Sequence, residues 1–289
     1  MNVTRRRFLT ISAAATLLSG VRYNEYRWAG HALGAETSLV FRAPKDIAKD
    51  TISSVLGLVE RFENTFSIYR DTSEINTLNH AAYVKPSKLF FKLAGYVDEI
   101  YRNSSGYFDP TIQSVWGQSH NLIANQRWQN VTLTRDRIAL PENTQISFNG
   151  IAQGFLTDLV AAHLRTRGFS NVLVNFGEFK GVGGPWNVGL QQQNGLKSVK
   201  LNDTAIAASA PDAMRQNNGR SHMINPFGHE DLEYTSVSVE HHSAMIADAL
   251  STAFVFMSPN KIQNVISKSY PNSRVHLITK DEQMISLNT

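Results

Sequence analysis

The sequence predicts a single mixed α/β domain in which helices surround short strands. Three observations point to this class: helical and strand-like patterns alternate along the chain, no internal repeat is present, and the composition does not break within the region after residue 27. With 289 residues, of which 42% are hydrophobic, the chain can bury a substantial core. We therefore expect one intertwined domain over residues 28–289, preceded by a segment of residues 1–27.

The segment 1–27 has the pattern of an export signal. Arg5, Arg6 and Arg7 precede a moderately apolar run over residues 10–21, and paired arginines in this setting indicate the twin-arginine route. The run is short for a membrane span, although retention as an uncleaved anchor stays open. We expect a periplasmic protein, and this expectation agrees with the absence of cysteine, which also excludes thiolate catalysis.

The net charge of +4 gives little support to nucleic-acid binding. The three arginines at positions 5–7 account for most of it, and without them the charge is 4 − 3 = +1. No basic stripe interleaved with aromatic residues is found elsewhere in the sequence. We expect no nucleic-acid partner.

The first half of the domain contains alternating and helical patterns in a clear order. Residues 37–41 alternate as a strand, residues 47–66 have helical apolar spacing, Ser73 is the expected N-cap of a short helix, and residues 89–101 form another helix. A turn cluster and the loop of residues 106–110 follow, in which Pro110 holds Asp109 extended.

The second half is predicted to continue as strand, loop, helix and strand. We expect a strand at residues 145–148, the loop NGIAQG at residues 149–154, and a helix that ends near Gly168. Further strands are expected at residues 172–174, 186–190, around 199, at 205–208 and at 236–239. A helix over residues 244–257 and a final strand over residues 274–279 complete the predicted fold.

Two short segments carry the chemistry. ADALSTA, residues 247–253, places Asp248, Ser251 and Thr252 at i, i+3 and i+4, so a helix presents one carboxylate and two hydroxyls on one face. Such hard oxygen atoms suit Mg²⁺, usually with substrate phosphates completing its shell. The glycines of NGIAQG allow a ligand to approach the backbone. The alternative is structural: an Asp in the first helical turn matches the helix dipole, and helical Ser or Thr often bonds its own backbone.

At these motifs the sequence resembles the ApbE family of FAD:protein FMN transferases, over about residues 28–279. The resemblance rests on six ordered motifs: ALGA at 32–35, FSIYRDTSEINTLN at 66–79, GYFDPT at 106–111, NGIAQGFLTD at 149–158, SHMINP at 221–226, and ADALSTA. The forms NGIAQG and FGE (residues 176–178), with the export signal, look closest to the NosX-like branch, which is associated with nitrous oxide reductase maturation.

The resemblance implies an ApbE-type, T-fold-like domain and a magnesium-dependent flavin transferase. A Thr or Ser hydroxyl of a partner protein attacks the FMN-side phosphorus of FAD, and AMP leaves. The implied metal ligands are Asp248, Thr252, Ser251 and the backbone carbonyl of Gly150, and Asp248 is also a catalytic residue in this sense. The implied partner is a periplasm-facing electron-transfer flavoprotein of the NosR, NqrC or RnfG kind.

The same resemblance assigns residues to the FAD cleft. They are Leu33, Tyr69, Tyr107, Phe108, Asp109, Ser147, Gln153 and Ile224, the last through its backbone because its side chain is expected in a short buried strand. His222 falls at the family's histidine position and is expected either to accept the proton of the attacking hydroxyl or to be structural. His241 and His242 are expected to be a solvated loop pair.

Several positions depart from the family pattern. Ser147 and Gln153 stand where relatives usually carry charged side chains, Asn225 stands for an acid, and Phe227-Gly228 replaces a Thr-Gly turn; residues 208–211 read ASAP where Ser-Gly is expected. Two other functions therefore remain open: a pyrophosphatase that hydrolyses FAD to FMN and AMP, and a non-catalytic FAD-binding assembly factor.

Overall fold

The computed structural model describes residues 9–11, 24–118, 123–192, 195–216, 219, 221–228 and 232–289. Most of the predicted export signal, residues 1–27, lies outside the described residues, so its role stays a prediction. Two short parts of it are described: Leu9–Ile11 forms a strand, and residues 24–27 lie at the start of the strand Asn24–Ala32. Among the helices of the described ranges, none combines the length and hydropathy needed to cross a bilayer.

The described chain contains fourteen strands and six α-helices. The strands are β1 Leu9–Ile11, β2 Asn24–Ala32, β3 Ala35–Ala43, β4 Tyr83–Val84, β5 Thr132–Leu133, β6 Ile138–Ala139, β7 Val172–Asn175, β8 Phe179–Val182, β9 Trp186–Gln192, β10 Gly195–Leu201, β11 Ala205–Ser209, β12 Tyr234–His241, β13 Arg274–Thr279 and β14 Met284–Asn288. The helices are α1 Lys45–Phe66, α2 Glu74–Ala81, α3 Lys88–Asn103, α4 Ala152–Thr166, α5 Ala244–Phe254 and α6 Pro259–Ser269.

Strands from both ends of the domain meet in one antiparallel sheet of eight strands. Its order is β14-β13-β12-β11-β8-β7-β3-β2, and every neighbouring pair is antiparallel. Two smaller sheets have the orders β1-β9-β10 and β4-β6-β5. The predicted class, helices around antiparallel sheets, is confirmed.

Serine caps fix where three helices begin. The Ser73 side chain accepts a hydrogen bond from the backbone N–H of Asn76 at the start of α2, as predicted. The Ser87 side chain accepts from the backbone N–H of Phe90 at the start of α3. Ser243 caps α5 by accepting from the backbone N–H of Ile246 at 3.3 Å. Each cap satisfies a backbone donor that would otherwise lack a partner in the first helical turn.

A cluster of phenylalanines forms the centre of the main core. The Phe66 ring lies 5.6 Å from Phe90 and 6.4 Å from Phe155 between ring centroids, and Phe90 lies 5.4 Å from Phe148. These rings come from α1, α3, α4 and the segment before α4. Because each buried Phe stabilises the fold by about 1.5–3 kcal/mol, the cluster fixes the three helices relative to one another.

The strand predicted at residues 145–148 is wrong. Instead of a neighbouring strand, the side-chain amide of Asn79 pairs with the Ile146 backbone: Asn79 Oδ1 accepts from Ile146 N at 2.8 Å, and Asn79 Nδ2 donates to Ile146 O at 2.9 Å. Ser147 N donates to Pro110 O at 3.0 Å. The segment is extended, but its hydrogen bonds go to a side chain and a loop, so no ladder forms.

Two further boundaries differ from the sequence prediction. The helix expected over residues 244–257 ends at Phe254, and the expected last strand is followed by β14, which pairs with β13 at the edge of the sheet. The side chains of β14 alternate between exposed and half-buried. The half-buried residues of β14, Ile285 and Leu287, pack against the main core, and this contact fixes the strand at the edge of the sheet.

Candidate functional site

A cavity of about 990 Å³ opens above the ends of several elements and is large enough for a dinucleotide. Its wall is formed by the turn between β2 and β3, the loop 107–113, the start of α4, the end of β11, residues 222–226 and one face of α5. Eleven of the residues predicted from the sequence line it: Tyr69, Tyr107, Phe108, Asp109, Ser147, Gly150, Gln153, His222, Ile224, Asp248 and Thr252. Residues more than 180 positions apart in the chain thus meet in one place.

Leu33 and Ser251 are buried beside the cavity and are not brought to its wall. Leu33 belongs to the main core and its backbone N–H donates to Glu63 Oε1 at 2.9 Å, while its neighbour Gly34 faces the cavity. The Ser251 hydroxyl lies 2.8 Å from that of Ser209 on β11 and donates to the backbone carbonyl of Asp248 at 2.9 Å. The geometry gives Ser251 a contact that joins α5 to the sheet, so its role as a metal ligand stays a prediction.

Three of the predicted metal-binding oxygens face the cavity together. The Thr252 hydroxyl lies 3.5 Å from the backbone carbonyl oxygen of Gly150, and Asp248 is one helical turn away on the same face of α5. Asp248 Oδ2 accepts a hydrogen bond from Gly154 N at 2.9 Å. Within the described ranges no three His, Asp or Glu side chains form a ready metal cluster, so a cation here would depend on one carboxylate with hydroxyl and carbonyl oxygens.

The crossing of α4 and α5 sets the position of Asp248. At Gly154 the two helices are so close that an added Cβ would lie 2.3 Å from the Ala244 carbonyl oxygen and 2.8 Å from Asp248 Cβ. Only glycine permits this approach, which lets Asp248 reach a backbone N–H in the first turn of α4. Of the two glycines in NGIAQG, Gly154 therefore acts through helix packing.

Asp158, to which the sequence analysis gave no role, holds the start of α5 from outside that helix. Its carboxylate accepts from the Ser243 hydroxyl at 2.6 Å and from the backbone N–H groups of Ala244 and Met245 at 3.1 Å each. Lys180 Nζ completes the cluster by pairing with the same carboxylate. The carboxylate at a helix N-terminus stabilises α5 and fixes it against α4, where Asp158 resides.

His222 lies in an irregular segment, with its ring held by one backbone carbonyl. Nδ1 is 3.0 Å from Met214 O, and since a carbonyl can only accept, Nδ1 carries the hydrogen. In the neutral ring Nε2 is then the basic nitrogen. Ile224 is in the same irregular segment and half buried, so the prediction that its side chain belongs to a short buried strand is wrong.

Asp109 is a buried carboxylate at the cavity wall. Its Oδ1 accepts from the hydroxyl and the backbone N–H of Thr111, and its Oδ2 accepts from Arg127 Nε at 3.3 Å. Burial raises the pKa of Asp109, while Thr111 and Arg127 act in the opposite direction. Arg127 was not found from the sequence, because nothing in its local pattern relates it to a loop eighteen residues earlier.

His241 is not the solvated loop residue that the sequence analysis expected, although its neighbour His242 is exposed. It is the last residue of β12 and is buried, and its Nδ1 accepts from the backbone N–H of Ser243 at 3.0 Å. Burial lowers the pKa of His241 to about 4, with a further contribution from His242, whose ring centroid is 4.0 Å away. His241 is therefore a neutral structural residue at neutral pH.

The charges of the cavity wall are one-sided. Four carboxylates line it, from Glu36, Asp109, Glu178 and Asp248, and the lining residues of the described chain include no Lys or Arg. A diphosphate placed near Asp248 would meet repulsion unless a divalent cation came with it. Aromatic side chains also contribute to the wall: Tyr69 is exposed there, whereas Phe108 is mostly buried in the main core and Tyr107 is partly buried against it.

Comparison with known proteins places these features in a family. The family model described as the ApbE family matches residues 33–277. The chain is 24% identical to the FAD:protein FMN transferase of Vibrio cholerae serotype O1, over 89% of each chain. Its fold is similar to that of the Pseudomonas stutzeri flavinyl transferase ApbE in its apo form, with a TM-score of 0.79, 20% identity, and coverage of 93% of this chain and 96% of the other. The ApbE protein of Thermotoga maritima gives a TM-score of 0.78 at 21% identity and coverage of 91% and 97%.

Proposed function

The chain belongs to the ApbE family, and we propose on that premise that it is an FAD:protein FMN transferase, which moves FMN from FAD to a Thr or Ser hydroxyl of a partner flavoprotein and releases AMP. The single observation that carries the proposal is the cavity. Its wall combines aromatic faces with a cluster of oxygen atoms at Asp248, Thr252 and Gly150. FAD has matching parts, two aromatic ring systems joined by a pyrophosphate.

The residues at this wall fit Mg²⁺. Carboxylate, hydroxyl and carbonyl oxygens are the donors that this ion prefers, and it usually keeps positions for substrate phosphates. The acidic lining also favours a cation, because a pyrophosphate beside Asp248 would otherwise be repelled by that carboxylate. Asp248, Thr252 and the Gly150 carbonyl would hold the ion, which when bound supplies positive charge to offset that of the pyrophosphate.

The chain's own residues then position and deprotonate the reacting groups. Tyr69 and Phe108 bind ring faces, and the α4–α5 crossing fixes Asp248 at the pyrophosphate end. As the acceptor hydroxyl oxygen forms its bond to the FMN-side phosphorus, the bond from that phosphorus to the bridging oxygen breaks and AMP leaves. The hydroxyl proton passes to Nε2 of His222, the basic nitrogen in the tautomer that Met214 O selects.

We further propose that the acceptor is a periplasm-facing electron-transfer protein of the NosR kind, and that the protein acts in the periplasm. The support is the arginine-led pattern of residues 5–21, which has the features of a twin-arginine signal. That route carries folded proteins, which suits a chain whose cavity takes a cofactor-sized ligand. The NosX-like assignment rests on the FGE and NGIAQG forms.

The experiment incubates the purified protein with FAD, Mg²⁺ and a Thr-containing domain of such an acceptor, and measures in-gel flavin fluorescence and AMP. We expect both signals, and their loss with a chelator. Asp248→Asn keeps the shape of the side chain and an acceptor for Gly154 N, and should reduce labelling on the order of a hundredfold. Asp136→Asn, in an exposed turn, is the matched control and should label as the native protein does.

The alternatives give different results. AMP without labelled acceptor would mean FAD hydrolysis, and bound FAD with neither product would mean an assembly factor. Either result would overturn the transferase proposal. Labelling that persists unchanged in Asp248→Asn would leave the transfer reaction intact but remove this residue from the metal site.

A further inference from the structure

Phe227 follows Pro226 where the resemblance leads us to expect a Thr-Gly turn, and its ring is partly exposed yet contacts two partners. The ring is 42% exposed. The centroid of the Phe227 ring lies 4.8 Å from that of Tyr107. The guanidinium carbon of Arg127 lies 4.2 Å from the same Phe227 centroid. An aromatic pair and a cation–π contact thus meet at one side chain.

A tight turn directs this ring. The Asn225 side chain accepts from the backbone N–H of Phe227 at 3.0 Å, and the Asn225 carbonyl accepts from Gly228 N at 3.0 Å. Gly228 has φ +78°, which glycine adopts without strain. Asn225 and Phe227, two of the departures from the family pattern, are therefore parts of one turn with Gly228, and this turn places the ring on Tyr107 and Arg127.

The surface that receives the ring is itself rigidly held; we call Gly106, Tyr107, Asp109 and Arg127 the receiving platform. Arg127 donates to Gly106 O at 2.9 Å and to Asp109 Oδ2 at 3.3 Å. The Tyr107 hydroxyl accepts from Lys261 Nζ at 2.9 Å. None of these three bonds involves an atom of Phe227, so the platform has hydrogen bonds of its own that do not depend on direct contact with the ring.

Residues 221–228, the segment that contains Phe227, form part of the cavity wall. The cavity is lined by four residues of this segment, His222, Met223, Ile224 and Pro226. The segment contains no helix; at its start Ser221 forms an isolated bridge with Arg215, donates from its hydroxyl to Pro211 O at 2.8 Å and accepts at its carbonyl from Gln216 Nε2 at 2.7 Å. Near the start of the segment, the backbone N–H of His222 and its ring Nδ1 both bond the carbonyl oxygen of Met214, which lies outside the segment. Beyond His222, Met223 packs against the main core, and Phe227 provides the contacts near the other end of the segment.

We infer that Phe227 is a positioning residue: its packing on the receiving platform holds residues 221–228 so that His222 and Ile224 stand at the cavity wall. This inference rests on the proposed function, because it takes FAD as the occupant. Without the ring, the segment spends only a fraction of its time in the binding arrangement, and the apparent affinity for FAD falls by that fraction. Bound FAD restores the arrangement, so the loss belongs to KM rather than to kcat.

The test measures FAD binding directly, by the change in flavin fluorescence on titration with the full-length protein and Mg²⁺. Phe227→Ala should weaken FAD binding about tenfold, which is about 1.4 kcal/mol, and raise KM for FAD by the same factor with kcat within about twofold of the native value. Phe227→Tyr, which keeps the ring, should restore binding to within about twofold. Because Phe227 is partly exposed, the melting temperature of each variant should stay within about 3 °C of the native value.

Tyr83→Ala is the matched control. Tyr83 is also an exposed aromatic residue under an arginine, with Arg137 at 4.7 Å from its ring centre, but it lies in the small sheet β4-β6-β5, outside the cavity lining. It should leave FAD affinity unchanged. If Phe227→Ala binds FAD as tightly as native protein, or if Tyr83→Ala loses as much affinity, the positioning role is refuted. Failure of the native protein itself to bind FAD would refute the proposed function instead, and the two failures are distinguishable.

Discussion

Replacing Gly154 by alanine should force apart the two helices that carry the candidate metal site. The added Cβ would lie 2.3 Å from the Ala244 carbonyl oxygen, whereas real Cβ atoms essentially never show contacts under 3.0 Å, so α4 and α5 must separate by at least 3.0 − 2.3 = 0.7 Å. The obstacle is backbone at the start of a helix that Asp158 holds in place, so rotation of a side chain cannot relieve it.

The change in the free energy of unfolding has two unfavourable contributions and one favourable contribution. If the whole displacement falls along the bond from Gly154 N to Asp248 Oδ2, its length rises from 2.9 to 2.9 + 0.7 = 3.6 Å, using the contact shift above, and the bond is lost. A hydrogen bond to a charged group contributes about 1.5–3 kcal/mol, and overpacking costs about 1–3 kcal/mol. Alanine recovers up to about 1 kcal/mol of helix propensity. With that gain in full, we expect a net loss of about 1.5–5 kcal/mol in the free energy of unfolding.

The assay is denaturant unfolding, with Gly95→Ala as the matched control. Gly95 lies within α3, and an added Cβ there would meet nothing within 4 Å, so alanine should stabilise the protein by up to about 1 kcal/mol. The same substitution in two helices should thus change stability in opposite directions. Equal effects of the two variants, or a stable Gly154→Ala protein, would refute the packing argument. Gly154→Ala should also weaken Mg²⁺-dependent FAD binding, because Asp248 moves with α5.

Two more predictions concern the metal site and a buried histidine. Thr252→Val should raise the Mg²⁺ concentration for half-maximal labelling about tenfold or more. Ser251→Ala should change that concentration less than about twofold, because the Ser251 hydroxyl bonds within the protein. A metal titration showing the reverse order would contradict the assigned geometry. His241 has a pKa near 4 in the folded protein and about 6.5 unfolded, so between these values only the unfolded chain takes up the proton, and stability falls as the pH falls. The loss should approach about 3 kcal/mol at pH 4, and His241→Gln should remove it from unfolding curves measured between pH 4 and 7; an unchanged pH dependence in that variant would exclude His241 as the cause.

Around NGIAQG the sequence predicted one element correctly and one wrongly. The helix that follows it has an apolar stripe, and this pattern predicted the helix correctly, as it did α1 and α3. The strand predicted before it failed, because Asn79 supplies side-chain hydrogen bonds that imitate a neighbouring strand. No local pattern shows such a partner, which lies 67 residues away.

In the candidate site too, local spacing predicted some residues correctly, whereas contacts between distant elements were missed. Asp248 and Thr252 were placed on one helix face by their spacing alone, and both face the cavity. Ser251 has an equally suitable spacing, but the approach of β11 turned its hydroxyl toward Ser209. Asp158 and Arg127 received no role from the sequence, since each acts on an element distant in the chain.

The sequence by itself determined the family, the fold class, the order of most helices and strands, and the oxygen-rich face of α5, because these depend on residue type and short-range spacing. Only the tertiary structure decided which of those oxygens reach the cavity, why Gly154 must lack a side chain, and where Phe227 packs. Those properties depend on distances between elements far apart in the chain, and such distances are set by close packing of the whole core.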